Sequence, residues 1–569
     1  MYIDNVYLKG FRNYSDSFVK FNYSTLIIGG NDVGKTNLLY SLRILLDKSF
    51  SDLDLEPKNS DFHIDAKGNQ CEELEIIINF REVKEDAVLS KLAGYVSDDA
   101  QTYIKYKAYR ATLDYKLYIG HKESEMDEIS GRFYLKYLNL RYVNSQRDLA
   151  KYISTEKKHL LRLAQEMRSE EQVRKDENTL NELTNLLNDV NDKVKEISYV
   201  STATEELNDE LKKLSYNNEK ISVMLDSGAI GVDQFIEKLE LSSNTNGKKV
   251  MLGGDGFNNQ VLLALWKAKS VREHDTENEV VIYCVEEPES HLYPHQQRKL
   301  SEYLISKLPG QSLVTTHSPQ IAINYSPDSI IKICSYNGES YAASEGCSDC
   351  ISNAWSGMGY RMSILPAEAF FANVVFLVEG PSEMLFYQAL AKECQIDLDF
   401  FNISILSVDG VQFEVYRKIL DALEIKWVAR TDNDSSKVPR KKEWQYSGLN
   451  RALALCGMEP LKNELTEISQ AQRIEKHKIY KDKLKHHNIF VSINDLEGDI
   501  GVELSTQLKE YVGVDNEEIA ADYLRGKKAI RMQEFLGEYS YALKNISDGE
   551  LIQPLLTAVK LGDAANLLI

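Results

Sequence analysis

Gly29-Gly30-Asn31-Asp32-Val33-Gly34-Lys35-Thr36 sets three glycines, a lysine and a hydroxyl in the pattern G-x-x-x-x-G-K-[ST]. Residues of these types at this spacing suit a polyphosphate. The glycines let successive backbone N–H groups close around phosphate oxygens, and a helix beginning at the lysine adds its dipole. Lys35 would reach the β- and γ-phosphates, and the Thr36 hydroxyl would bind Mg²⁺. The flanks agree: Ser24–Ile28 reads as a short buried strand and 37–46 as a helix.

A second set of residues extends that chemistry. Positions 280–289 form an apolar run closed by Glu286-Glu287-Pro288-Glu289. Beside a phosphate loop, the first such acid holds Mg²⁺ and the second polarises the attacking water, roles that fall to Glu286 and Glu287. Upstream, Leu252-Gly253-Gly254-Asp255-Gly256-Phe257-Asn258-Asn259-Gln260 is a glycine-rich turn opening an apolar helix over 261–268. Downstream, Leu313-Val314-Thr315-Thr316-His317-Ser318 reads as a strand ending in a histidine. This order resembles the ATP-binding cassette ATPases of the SMC-like and AAA15 type. The resemblance implies ATP with Mg²⁺ at a site holding Gly29, Asn31, Asp32, Gly34, Lys35, Thr36 and Asn37. It also implies a glycine turn that completes the site of a facing protomer, and His317 as the switch histidine on the γ-phosphate. The turn reads Leu-Gly-Gly-Asp-Gly and the metal acid is Glu286 where Asp is usual, so nucleotide binding is better supported than fast hydrolysis.

The third set lies beyond Pro366. The stretch 373–380 is a buried strand ending at Glu379, and 401–410, 425–434 and 488–497 are three more apolar runs ending in acids. Strands alternating with helices predict a compact parallel sheet. Ligands bind beyond the carboxyl ends of such a sheet, which is where these acids stand.

The chain has 569 residues, 43% of them hydrophobic, enough for several domains. No apolar run approaches the roughly 20 residues that span a bilayer, and Met1-Tyr2-Ile3-Asp4 lacks the character of a signal peptide. The seven cysteines are scattered, with Cys347-x-x-Cys350 the one close pair, which predicts reduced thiols and a cytoplasmic location without membrane attachment. A net charge of −20 argues against indiscriminate coating of nucleic acid, yet leaves room for local basic grooves at 437–442 and 473–487. The opening 2–14 reads as an edge strand running into a turn, 74–80 as a strand, 103–119 as an antiparallel hairpin, and Asp61-Phe62-His63 as part of a polar loop. From Arg132 to Ser227 there is neither Gly nor Pro, and Leu180, Leu183, Leu187, Val190, Val194 and Ile197 form a heptad seam continued by Leu207, Leu211 and Leu214. A helical arm is predicted, its seam covered by a partner chain or by its own returning helix.

The C-terminal third resembles the topoisomerase–primase (Toprim) domain, through Glu379-Gly380, Glu383 one helical turn on, and Asp432-Asn433-Asp434. An ATPase followed by Toprim is similar to the OLD (overcoming lysogenization defect) family of nucleases over essentially the whole chain. That likeness rests also on Thr431, on Leu377-Val378 before Glu379, and on Asp495-Leu496-Glu497-Gly498-Asp499. It implies an α/β chain: an SMC-like ATPase domain in two parts (1–145 and 236–365), a helical dimerisation insertion (146–235) and a Toprim nuclease domain (366–569). It implies Mg²⁺ or Mn²⁺ on Glu379, Glu383, Asp432, Asp434, Asp495 and Glu497, with catalysis shared by Glu379, Asp432, Asp434 and, at the nucleotide, Glu287. Lys528, favoured over Lys527, would stabilise the cleaved phosphate. The family further implies double-stranded DNA as substrate, phage defence, homo-oligomers (dimer or tetramer) through the ATPase half, and a helicase-like partner subunit. Two other readings stand beside it: an SMC-like DNA-repair ATPase whose Toprim domain binds without cutting, and a strand-making or strand-rejoining Toprim enzyme. The last lacks a tyrosine-nucleophile motif or a zinc-binding cysteine cluster.

Overall fold

The computed structural model describes residues 1–144, 149–214, 279–290, 292–347, 364–410, 413–546 and 549–566, with short stretches between 222 and 265. The glycine turn 252–260 and Cys350 lie outside the described residues. The chain divides into two compact units, 1–145 with 276–289 and 293–569, and 146–275 with 290–292.

The first unit begins with strands β1 (Tyr2–Phe11), β2 (Tyr14–Lys20) and β3 (Ser24–Ile28), then helix α1 (Lys35–Leu46). Strands β4 (Glu73–Arg81), β5 (Thr102–Tyr109), β6 (Asp114–Lys122), β7 (Glu125–Ile129) and β8 (Leu138–Val143) follow. The antiparallel sheet runs β2-β1-β4-β5-β6-β7. The sequence predicts β1 as an edge strand; it is an inner one, because Tyr14–Lys20 folds back on it and supplies the missing neighbour. Alternation in β5, with every second residue buried, fits a sheet with one face on the core.

The second unit is inserted next in sequence. Described by itself, it has helices α2 (Leu149–Glu166), α3 (Glu170–Lys195) and α4 (Ser198–Leu214) and a hairpin of β9 (Ser242–Thr245) and β10 (Lys248–Met251). The stretch free of Gly and Pro is thus not helical from its start: residues 138–143 are strand β8, since lacking a breaker permits a helix without requiring one. Along the heptad seam Val190, Ile197 and Leu207 remain exposed.

The first unit resumes with β11 (Val280–Glu286), α5 (Pro294–Ser306), β12 (Ser312–Thr315), β13 (Ile330–Tyr336) and β14 (Glu339–Ala342). They complete a sheet in the order β14-β13-β3-β12-β11-β8, parallel except for the β13–β14 hairpin. One core joins both sheets through α1, with Leu38, Leu42 and Leu45 packed among Val6, Ile76, Ile282 and Leu313.

Beyond it stand β15 (Val374–Val378), α6 (Pro381–Glu393), β16 (Ile403–Ser407), α7 (Phe413–Ala422) and β17 (Lys426–Thr431). The hairpin β18 (Ser436–Lys437) and β19 (Trp444–Gln445), α8 (Ser447–Leu455), α9 (Gln470–His486), β20 (Ile489–Val491), α10 (Leu496–Glu503), α11 (Glu517–Gly526) and α12 (Lys528–Tyr539) follow. The sheet β16-β15-β17-β20 is parallel throughout. Val374-Val375-Phe376-Leu377-Val378 is buried at every position, as a central strand covered on both faces must be. Among the described residues no helix is long and apolar enough to cross a membrane.

Phe376 sits at the centre of this last sheet, fully buried, its ring edge-on to Tyr387 at 4.7 Å. Phe376→Ala is expected to cost about 3–5 kcal/mol of unfolding free energy in the C-terminal domain, as a large-to-small change in a packed core does. Urea unfolding followed by far-UV circular dichroism measures it; a loss under about 1 kcal/mol would mean the core is looser than this packing.

Candidate functional site

Two sites emerge, both at the carboxyl ends of parallel strands. At the first, β3 runs into the phosphate loop and α1 begins at Lys35. Gly34 has φ +108°, and a Cβ there would lie 2.4 Å from Asn13 Nδ2, so only glycine fits. Tyr14 Oη donates to the Gly34 carbonyl at 3.0 Å and Ser340 Oγ to that of Val33 at 2.6 Å, so the loop is braced by β2 and β14. Lys35 Nζ turns back on the carbonyls of Gly29 (3.1 Å) and Gly30 (2.6 Å). Burial lowers its pKa, against the pull of Glu287, Asp32, Glu286 and Glu289. Thr36, Asn31 and Asp32 are exposed on the loop. Asn37 is held by Arg12 Nη1 and Asn13 at 2.8 Å each, and Arg12 is in turn pinned by Asp61 at 2.9 Å. The Asp61-Phe62-His63 segment thus supports the loop from behind, with His63 buried and its Nδ1 2.7 Å from the Arg12 carbonyl.

Glu286 ends β11 two strands away from β3. Its Oε2 accepts from Tyr142 Oη at 2.6 Å, and its Oε1 is buried without a hydrogen-bond partner. Glu287 follows at φ +42°, in left-handed backbone, its carboxylate 3.5 Å from His317 Nε2. His317 is held neutral by burial and by Lys35, which lower its pKa against the opposing Glu287. The sequence reading missed Glu289: its Oε1 accepts from Thr316 Oγ1 and from the His317 backbone N–H, both at 2.7 Å, fixing the strand-end histidine. Its position, third acid in Glu286-Glu287-Pro288-Glu289, was the only signal.

The second site is built at the carboxyl ends of β15, β17 and β20. Glu379 Oε1 takes three hydrogen bonds: from the Thr431 hydroxyl, from the Asp432 backbone N–H at 2.8 Å, and from Arg451 Nη2 at 2.5 Å. The same guanidinium reaches Asp434 Oδ1 at 3.0 Å and Thr431 Oγ1 at 2.9 Å. Lys528 Nζ stands 3.7 Å from Asp432 Oδ2, and Ser492 Oγ is 3.4 Å from Asp432 Oδ1. Arg430 binds Ser492 at 3.0 Å and Asp499 at 2.6 Å. Glu497, on α10, accepts from Ser382 at 3.4 Å while its Oε2 is buried with no partner.

Charge explains the arrangement. Burial, with Glu379 and Glu383 alongside, pushes the Asp432 carboxyl well above its usual range. Burial raises Glu383 as well, helped by Glu497. Lys528 is raised by Glu497, Asp432, Glu383 and Asp495, which outweigh the burial that lowers it. Asp495 goes the other way: Arg525 clamps both its oxygens at 2.6 and 2.9 Å, and the Gly498 N–H caps it at 2.8 Å, which overcomes burial and holds it low. So Glu379, Glu383, Asp432 and Glu497 form one electrostatic cluster with Asp434 at its rim. Asp495 is committed to capping α10 and to Arg525.

Among the described residues no three acids or histidines are already drawn to metal-coordination distance. The donors nevertheless fit a hard divalent cation. They are all oxygens, they repel one another, and the buried Glu497 Oε2 has nothing else to bind. Arg451 and Lys528 supply the positive charge that the carboxylates need. Arg451 was invisible in the sequence, lying on α8 outside any motif. Gly448, one turn before it, brings that helix onto the strand end, where a Cβ would meet the Asp432 carbonyl at 1.9 Å.

The AAA ATPase domain model matches residues 1–151 and 133–322. The model of the overcoming lysogenization defect protein-like TOPRIM domain matches 370–434, the span holding Glu379, Asp432 and Asp434. The chain belongs to the OLD family, an AAA ATPase joined to an OLD-like TOPRIM domain. One relative is the endonuclease GajA of Bacillus cereus (strain VD045), 26% identical over 95% of this chain and 96% of that protein. Among solved structures, an Smc head bound to the C-terminal winged-helix domain of ScpA aligns at 16% identity, covering 60% of this chain and 97% of that one, with TM-score 0.37. The SMC head domain from Thermotoga maritima aligns at 14% identity over 60% and 98%, with TM-score 0.31.

Arg451→Ala removes the cation shared by Glu379 and Asp434 and is expected to cost on the order of 3 kcal/mol in the metal-free OLD-family chain, the scale for breaking a buried pair. Saturating Mn²⁺ should recover most of that loss in parallel urea titrations; an equal deficit with and without Mn²⁺ would mean Arg451 is not neutralising these acids. A second expectation concerns pH. Because the folded-state pKa of Asp432 is raised, its stabilising contribution is complete below the unfolded value near 3.8 and is lost as pH rises through the folded value. Asp432→Asn should therefore raise the Tm of the metal-free protein at neutral pH, the difference closing as pH falls toward 3.8. A lower Tm at neutral pH would show that the aspartate is favourably ionised.

Proposed function

We propose that this chain is a nucleotide-regulated, divalent-metal-dependent endonuclease that nicks or cuts double-stranded DNA in cytoplasmic anti-phage defence. The observation that carries it is the convergence of Glu379, Glu383, Asp432 and Glu497 at the carboxyl edge of a parallel sheet within an OLD-like TOPRIM domain. The relative GajA, an endonuclease aligned end to end, supports the same reading.

Glu379, Glu383, Asp432, Asp434 and Glu497 would hold Mg²⁺ or Mn²⁺, with Asp495 joining once Arg525 releases it. Bound there, the ion supplies a lowered pKa for water and charge for the departing phosphodiester oxygen. The protein's own groups do the rest. Lys528 faces the acids from α12, placed to neutralise charge building on the phosphate. Asp432 and Glu383 keep the site anionic only when ionised, which ties ligand holding to pH. Arg451 and Thr431 fix the Glu379 carboxylate against the end of β17.

In the ATPase half, Gly29, Asn31, Asp32, Gly34, Lys35, Thr36 and Asn37 would bind ATP, with Glu286 on its Mg²⁺. Glu287, beside a neutral His317, is the group that would polarise water. The proposed division is an ATPase domain at 1–145 and 236–365, a helical dimerisation insertion at 146–235 and a Toprim domain from 366. Exposed Val190, Ile197 and Leu207 on the heptad seam support pairing of two copies, as a dimer or within a tetramer. A helicase-like GajB subunit, as in Gabija systems, completes the proposed assembly. A DNA-repair ATPase that binds without cutting is disfavoured, because binding alone does not require clustered buried acids.

Purified protein incubated with supercoiled and linear DNA and Mg²⁺ or Mn²⁺ should cut, and Glu379→Ala should lose at least about 100-fold in rate. Absent cutting by the wild type with either metal would sink the nuclease reading. Lys35→Ala should still cut while losing the response to added ATP; if a folded Lys35→Ala protein cannot cut at all, nucleotide is obligatory for the chemistry instead of regulatory.

A further inference from the structure

A cavity of about 1070 Å³ lies between the phosphate loop and the C-terminal sheet. Gly29, Gly30, Asn31, His317 and β13 residues Lys332 to Tyr336 line one side of it. The other side is formed at the amino ends of the parallel strands, by Asn373 before β15, Asn402 before β16, Lys426 and Trp427 opening β17, and Asn488 before β20. The acids of the metal site stand at the opposite ends of the same strands. This crevice is therefore separate from the nuclease site, about 17 Å away along a five-residue strand.

Its chemistry is aromatic and cationic. Trp427, Tyr336, Phe370 and Phe371 offer ring faces, while Lys332, Lys426, His486 and His487 offer positive or donor groups. The two acids in the lining are already engaged. Asp421 accepts from Trp427 Nε1 at 2.8 Å and pairs with Arg417 at 3.0 Å, and Glu424 accepts from Tyr341 Oη at 2.9 Å. Among the described residues the side chains of Lys332 and Lys426 make no hydrogen bond or ion pair. Lys332 pairs in register with Ile28 at the mouth of the phosphate loop, and burial lowers its pKa. A desolvated lysine whose opposing carboxylate, Glu424, is shared with Tyr341, facing a roomy cavity, is the feature an anionic ligand would satisfy.

We propose that this crevice is a second nucleotide site, taking a nucleoside phosphate whose base stacks on Trp427 or Tyr336 and whose phosphates meet Lys332 and Lys426. The class follows from the lining. Stacking surface selects an aromatic ring, paired cations beside it select phosphate, and the volume is at the upper end of small-molecule pockets while too small for a duplex. The site touches the phosphate loop at one end and the strands that carry the nuclease acids at the other. It thus deepens the nucleotide-regulated reading, resting on it only for the consequence of binding.

The test is ATP binding to the full-length protein by calorimetry, together with quenching of tryptophan fluorescence. Lys35→Ala, which disables the phosphate loop, should retain one class of ATP site. Adding Lys332→Ala and Lys426→Ala in that background should weaken it at least about tenfold, a loss of roughly 1.4 kcal/mol. Trp427→Phe in the Lys35→Ala background should abolish the quench. Lys332→Ala alone should still cut DNA at the wild-type rate without nucleotide, which shows it folded, while its response to ATP changes. If Lys35→Ala binds no ATP, or if its residual binding is indifferent to Lys332 and Trp427, the second site does not exist. Failure of the nuclease reading is a separate result, the absence of cutting in a protein whose ATP isotherms are unaltered.

Discussion

Repulsion among carboxylates held at one sheet edge governs the C-terminal domain. A parallel sheet brings the ends of β15, β17 and β20 together whatever residues stand there, and here they bring Glu379, Asp432 and the approach to Glu497. Buried charges of one sign are costly unless opposite charges come with them. The compensating cations arrive from elements distant in sequence: Arg451 on α8, Arg525 on α11 and Lys528 on α12. This gives a physical reason for the helical tail to wrap back onto the sheet. Leu524, Met532 and Phe535 anchor it in the same core as Val374 and Phe376, so apolar packing positions the cations that the acids require.

The ATPase half answers a different constraint, the strained backbone of its phosphate loop. Asp32 and Gly34 both have positive φ, a conformation the chain keeps only where its surroundings enforce it. Enforcement comes from both ends of the interrupted domain: Tyr14 from β2 and Ser340 from β14 each bond a loop carbonyl. Sheet order tells the same story, with β3 lying between β12 and β13, two strands contributed after the insertion. The loop cannot be built from the first 150 residues alone.

What could be read in the sequence was whatever a short stretch determines by itself. The phosphate loop, the apolar strands 280–286 and 374–378 and their terminal acids each depend on local residue types, and the structure has strands or loops at those places. The inner position of β1 was not legible, because an edge is defined by a neighbour elsewhere in the chain. The strand at 138–143 was hidden for a similar reason: its partner is Val280–Glu286, more than a hundred residues on. Arg451, Arg525 and Glu289 were missed since each acts through a side-chain contact no spacing encodes. The capping of Asp495 by Gly498, in contrast, is local, and Asp495-Leu496-Glu497-Gly498 at a strand-to-helix junction carries that signal.

Both sites share one electrostatic habit: each closes on a charge of the protein's own. Lys35 bonds the carbonyls of its loop, and Arg451 bridges Glu379 and Asp434. A polyphosphate entering the first gives Lys35 a better partner and frees two carbonyls. A divalent cation entering the second competes with Arg451 for the same carboxylates. Ligand binding at either place therefore exchanges one set of contacts for another. Lys426 and Trp427 begin β17, and Thr431 ends it five residues on, where its hydroxyl and the Arg451 guanidinium both bond Glu379.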